Sequence, residues 1–157
     1  MEVENSRNIA GDYIKYRLCS NNYNWDSGRQ DNVTPNRVEL AMRTLGDEFE
    51  ERFRNKFDDM IGSLHLTRDN AEDTFRAIVR ETFSDGINWG RIVALFGFAG
   101  RFAVQCCEND MFDMVDNIVD WVASYVDSDL NSWMTENKSW VSTQKIINVY
   151  RFNFLQP

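Results

Sequence analysis

Apolar residues recur along this chain at steps of three and four, the period of helices that bury one side. Over residues 6–19, Ile9, Tyr13 and Tyr16 fall on one face, with Ile14 and Leu18 beside it. Residues 20–36 are polar, rich in Asn, Asp and Ser, and hold Gly28 and Pro35, which predicts a flexible loop. From Val38 the apolar positions run Val38, Met42, Leu45, Phe49, Phe53, Phe57 and Met60, one stripe of a long helix or of two in series. Asp69-Asn70-Ala71-Glu72 reads as a capping box with Asp in place of Ser or Thr. It opens a helix with Ala71, Phe75, Ile78, Val79, Thr82 and Phe83 on one face, ended by Gly86.

Residues 87–105 differ, because Ile87, Trp89, Ile92, Val93, Leu95, Phe96, Phe98, Ala99, Phe102, Ala103 and Val104 cover nearly every side. A helix apolar all round is buried in protein or in lipid. Arg91 and Arg101 interrupt the run and leave it short of the roughly 20 apolar residues of a membrane span, so a central core helix is expected. Met111, Val115, Ile118, Val122 and Tyr125 form the stripe of a further, acid-rich helix. Two short aromatic helices, around Leu130–Met134 and Val141–Tyr150, close the chain. Sustained strand alternation is missing. The expected fold is all-α, one hydrophobic helix wrapped by about six or seven amphipathic ones.

The 157 residues suit one domain, 1–157, large enough to bury its own core. A net charge of −8, from 25 acidic and 17 basic residues, argues against nucleic acid as a partner and leaves room for partners carrying basic residues. Cys19, Cys106 and Cys107 are odd in number and lack metal-type spacing, which predicts reduced thiols in a cytosolic setting. Met1 to Asn5 has neither the basic start nor the apolar core of a signal peptide, and the residues up to Pro157 carry no apolar tail, so no membrane anchor is expected among them.

Catalysis has little to work with. His65 is the lone histidine, between Leu64 and Leu66, and every imidazole-based triad would have to pass through it. Asp58 and Asp59 are successive on a helix and point apart, while the acids at 108, 110, 113, 116 and 120 read as a solvated face. Gly97 and Gly100, with Ala99 and Ala103, suit close helix packing and make no phosphate loop. No enzyme, cofactor or metal site is therefore expected. The informative segment is Asp85-Gly86-Ile87-Asn88-Trp89-Gly90-Arg91. A glycine turn delivers Asn88 to a helix start as a cap, Gly90 would let a foreign backbone approach, and Arg91 projects where the helix dipole gives a cation nothing. Either an acidic partner from another molecule meets Arg91, or an internal salt bridge to Asp85 or Glu81 does.

At these residues the chain resembles the Bcl-2 family of apoptosis regulators. Asn88-Trp89-Gly90-Arg91-Ile92-Val93-Ala94-Leu95-Phe96 is similar to the family's first homology motif, placed at 81–104. Trp133-Met134-Thr135-Glu136-Asn137-Lys138-Ser139-Trp140, within 133–148, resembles the second. Leu45-Gly46-Asp47-Glu48-Phe49, within 38–53, resembles the third, and residues 6–25 with Asp12-Tyr13-Ile14-Lys15-Tyr16-Arg17-Leu18 resemble the fourth.

The resemblance implies a globule of about eight helices around a hydrophobic central one, acting as a monomer. It implies a groove that receives the amphipathic death-motif helix of pro-apoptotic relatives, four apolar anchors entering pockets and an aspartate meeting Arg91. By matching positions, Asn88 would be a polar contact and Gly90 the site of close approach. Phe49, Phe53, Phe57, Met60, Ile78, Val79, Val93, Ala94 and Phe98 would line the pockets, with Arg52 and Glu81 at the rim. Each apolar member has a plainer alternative as core, Phe98 and Val79 above all. Lys56 and Thr82 stand where close relatives carry small or apolar groove residues, and 141–144 departs from the second motif's pattern. The implied job is anti-apoptotic sequestration, in the cytoplasm with association to the mitochondrial outer membrane or endoplasmic reticulum in the full-length protein. The alternative is a pore-forming effector that refolds and exposes its own Val38–Phe49 helix.

Overall fold

The computed structural model describes residues 5–28 and 33–137, and the expected helix around Val141–Tyr150 lies outside them. The described residues form six α-helices and no strand: α1 (Ser6–Ser20), α2 (Arg37–Gly62), α3 (Ala71–Thr82), α4 (Trp89–Glu108), α5 (Val115–Tyr125) and α6 (Asn131–Glu136). A 3-10 turn, Phe112–Met114, leads into α5, and a π-helical segment, Val126–Leu130, joins α5 to α6.

The stripe from Val38 to Met60 belongs to one uninterrupted helix, α2. Its start is fixed by a capping box the sequence reading passed over. Asn36 Oδ1 accepts from the Glu39 amide at 2.8 Å, and Glu39 Oε1 accepts from the Asn36 amide at 2.9 Å. The box expected at Asp69–Glu72 is not formed. Asn70 is the N-cap residue of α3, but its side chain is committed to the preceding turn, accepting from the Thr67 amide at 2.8 Å and donating to the His65 carbonyl at 3.2 Å. Nor does Gly86 end α3, which stops at Thr82; Gly86, at φ +114°, supplies the left-handed step of the turn that follows.

Helix α4 is the axis of the globule, with α1, α2, α3 and α5 packed on it. Sixteen of its twenty residues are buried, so its lack of a polar face is answered by protein on all sides. By length and composition α4 is in fact apolar enough to cross a membrane, contrary to the expectation that its arginines leave it short. Most of that apolar window is nevertheless covered by the other helices. Close packing at α4 depends on small residues. A Cβ on Gly97 would overlap the Phe49 ring of α2, and one on Gly100 would meet Arg17 and Tyr13 of α1 at 3.0 and 3.1 Å. Gly46 on α2 gives way to the Tyr13 ring in the same manner.

Candidate functional site: an apolar surface beside Arg91

The site begins at the turn between α3 and α4. Asn88, extended at φ −150° and ψ 168°, caps α4, its Oδ1 accepting from the Arg91 amide at 2.8 Å. This cap sets Arg91 on the first turn, half-buried, with Nη1 donating to the Gly86 carbonyl at 2.9 Å. Among the described residues no carboxylate pairs with it, neither Asp85 nor Glu81. A guanidinium in a place where the helix dipole disfavours it therefore keeps donors that no carboxylate among the described residues takes up.

Arg91, Ala94 and Phe98 follow one another on one face of α4 at steps of three and four. Phe98 leads across to both walls, with ring centroids 5.7 Å from Phe57 on α2 and 5.5 Å from Phe75 on α3. Phe57 and Phe53 in turn lie 5.4 and 4.8 Å from Phe49. The expected lining residues thus separate into two layers. Phe49, Val79, Val93 and Phe98 are 4, 2, 0 and 2% exposed and belong to the core, a floor rather than a surface. Phe53, Phe57, Met60, Ile78 and Ala94 pack on that floor but remain partly exposed. Arg52 and Glu81 are exposed, as a rim requires, and the Arg52 guanidinium sits 5.8 Å above the Phe53 ring.

Three placements refine the sequence reading. Gly90 is buried in this conformation, and Asn88 has spent its carbonyl oxygen on the cap, leaving its amide nitrogen for a ligand. Val79 also borders a cleft of about 260 Å³ between α3 and α5, with Phe75, Trp121 and Tyr125. Of the two departures, Lys56 is exposed, and Thr82 satisfies its hydroxyl on the Ile78 carbonyl at 2.8 Å. From the second motif, Trp133 packs edge-on against Trp89 at 5.3 Å, while residues 138–148 lie outside the described part.

Sequence reasoning missed the ion cluster behind α2. Arg101, 2% exposed, donates Nε and Nη2 to the two oxygens of Asp58, both at 3.1 Å, and Nη1 to Glu50 Oε1 at 2.8 Å. Arg17, also buried, donates Nη2 to Asp47 at 2.9 Å and sets Nε 3.2 Å from the second oxygen of Glu50. Burial pushes the neighbouring Tyr13 hydroxyl up to about 12, with Arg17 acting in the opposite direction. The signal was present in the sequence: an arginine inside a helix apolar all round must be buried, and a buried charge needs acids from its neighbours.

The remaining chemistry is quiet. His65 is an exposed turn residue at φ 49°, and no cluster of potential metal ligands exists among the described residues. All three cysteines are free thiols; burial pushes Cys106 up to about 12 and Cys107 to about 11, which keeps both protonated and unreactive at neutral pH.

Residues 42–140 match the family model described as apoptosis regulator proteins, Bcl-2 family. The chain is 44% identical to the apoptosis regulator Bcl-2 of Gallus gallus over 106 residues, 68% of this chain and 46% of that protein. It is 43% identical to Bcl-2-like protein 1 of Homo sapiens over 103 residues, 66% of this chain and 44% of that protein. The chain thus spans about half the length of the curated relatives it matches. Among solved structures, Trichoplax adhaerens trBcl-2L2, crystallised bound to trBak BH3, superposes with a TM-score of 0.79 at 34% identity, covering 86% of this chain and 91% of that one.

Proposed function

The chain belongs to the Bcl-2 family of apoptosis regulators, and from that premise we propose that it is a pro-survival member. It sequesters the death-motif helix of pro-apoptotic relatives on the surface between α2, α3 and α4, and so restrains permeabilisation of the mitochondrial outer membrane. The observation that carries this reading is Arg91, half-buried at the end of an apolar surface and without an acidic partner among the described residues. An amphipathic helix with an aspartate on its apolar face supplies what that arginine lacks. The solved neighbour, bound to a BH3 segment, supports the same mode.

The energetics suffice. Burying four large apolar side chains gives about 1.5–3 kcal/mol each, and the charge pair adds a contribution whose loss costs about 2–5 kcal/mol. After the cost of association, a Kd near the nanomolar range, about −12 kcal/mol, is within reach. This is binding without turnover, by a monomer in the cytoplasm that associates with mitochondria or the endoplasmic reticulum.

One observation favours the effector alternative: α4 is long and apolar enough to cross a membrane. Against it stands the fourth-motif segment at residues 6–25, with Asp12-Tyr13-Ile14-Lys15-Tyr16-Arg17-Leu18, which resembles survival members more than pore formers. Titration with a synthetic peptide of a Bak-type death-motif helix tests the proposal, and absence of binding at about 10 µM would end it. Activator-triggered dye release from liposomes by the chain alone would instead establish the effector reading.

A further inference from the structure

The outer face of α2 poses a mechanical problem. Phe53, Phe57 and Met60 remain partly exposed, so burial of these side chains cannot by itself hold the second half of the helix on the globule. In the first half, by contrast, Val38, Met42, Leu45 and Phe49 are all buried. A groove wall has to be both open on its ligand side and fixed in position, which requires an anchor on a different side of the same helix.

That anchor is visible. On α2, at about 100° per residue, Asp58 stands roughly 100–180° around the axis from Phe49, Phe53 and Phe57, while Glu50 stands about 100° from Phe49 and flanks Phe57. Both are held by Arg101, which sits one helical turn beyond Gly97 on α4, the notch that receives Phe49. The bond to Asp58 is a fork, Nε to Oδ1 and Nη2 to Oδ2, and two parallel bonds fix orientation as well as distance. Arg101 also reaches Asn21 Oδ1 at 3.5 Å, and Glu50 meets Arg17, so the anchor ties α2 to α1 and α4 together. Beside it only Ile61, 2% exposed, is a fully buried apolar residue in the second half of α2.

We propose that Arg101 is the positioning residue of the peptide groove: gripping Glu50 and Asp58, it pins the second half of α2 and so sets the width of the opening that Phe53, Phe57 and Met60 line. This rests on the sequestration reading for its ligand, but the clamp itself is a property of the free protein. Such a groove opens little on its own, because widening it means breaking charge-assisted bonds to a buried guanidinium. The same clamp opposes release of the chain's own third-motif helix.

The test uses the full chain and a combined variant, Asp58→Asn and Arg101→Met, which removes the fork while Glu50 keeps its pairing with Arg17, so that no buried ion is orphaned. Hydrogen exchange and calorimetric titration with the Bak-type peptide are read side by side. Amides of residues 53–62 should exchange at least about tenfold faster while those of α5 do not change, and peptide affinity should fall by at least about tenfold. Ile118→Val on α5 serves as a control for simple destabilisation, and should lower the unfolding midpoint without loosening 53–62 selectively. Wild-type affinity and wild-type exchange in the combined variant would overturn the proposal. Should that variant not fold, Arg101→Lys decides: the charge stays, the fork is lost, and affinity should fall several-fold, whereas unchanged affinity would overturn the clamp. If the wild-type chain itself fails to bind the peptide, the sequestration reading falls, and exchange at 53–62 alone still confirms or removes the clamp.

Discussion

Arg17 on α1 holds Asp47 on α2 through a bond of 2.9 Å from Nη2 to Oδ1, and the Tyr16 hydroxyl donates to the other oxygen at 2.7 Å. Asp47 stands at the centre of the chain's own third motif, so the acid by which that helix would present itself to another groove is already engaged inside its own molecule. The motif serves here as structure: its apolar stripe fills the core under α4, and its acids meet two buried arginines.

The two acids should not matter equally. The Asp47 side chain is 49% exposed and shares its arginine, whereas Glu50 is 12% exposed and lies between Arg17 and Arg101. Solvent screening reduces the first interaction, so Asp47→Asn is expected to cost about 0.5–1 kcal/mol. Glu50→Gln leaves two buried guanidinium groups under-compensated and is expected to cost about 2–3 kcal/mol. Urea unfolding of both variants gives the order directly, and an equal or reversed ranking would contradict the cluster.

Gly97→Ala drives a methyl group into the Phe49 ring and is expected to destabilise by about 1–3 kcal/mol, despite the better helix propensity of alanine. Gly62→Ala, with nothing within 4 Å, is the matched control and should change stability by less than about 0.5 kcal/mol. Thermal unfolding of the pair distinguishes packing from propensity; similar shifts for both would mean that α2 and α4 do not meet as closely as described.

Alkali should unfold the protein in a particular window. Burial raises Tyr13 from 10.0 to about 12, Cys106 from 9.0 to about 12 and Cys107 from 9.0 to about 11. The folded chain therefore keeps protons that the unfolded chain gives up. Stability from these groups is complete below about pH 9 and is lost as pH rises toward about 12. Urea midpoints should fall steadily above about pH 9, and replacing Cys106 with alanine should flatten that slope. In the same samples a maleimide should label only the exposed Cys19 quickly in the native state. Equal labelling of all three thiols would show that the end of α4 is open.

Much of this was legible in the sequence, because helices announce themselves by period and a core helix by lacking a polar face. The stripe from Val38 to Met60, the central run from 87 to 105 and the cap at Asn88 all appear where the pattern places them. Caps elsewhere were less legible. Asn70 could serve either its helix or the turn before it, and long-range geometry chose the turn. Covered and partly exposed members of the stripe could not be told apart either, since Phe49 and Phe53 belong to one stripe and only the position of α4 decides which is covered. The Arg101 cluster joins residues 43 and 51 positions apart, a pairing that no local pattern carries.

On the proposed reading, Arg91 waits for an acid brought by a visiting helix. Calorimetric titration of a Bak-type death-motif peptide into the wild-type chain and into Arg91→Ala, with circular dichroism to show that both are folded, tests it most directly. Nanomolar-range binding is expected for the wild type and a loss of about 2 kcal/mol or more for the variant, roughly thirtyfold in Kd. Equal affinities in two equally folded proteins would contradict it.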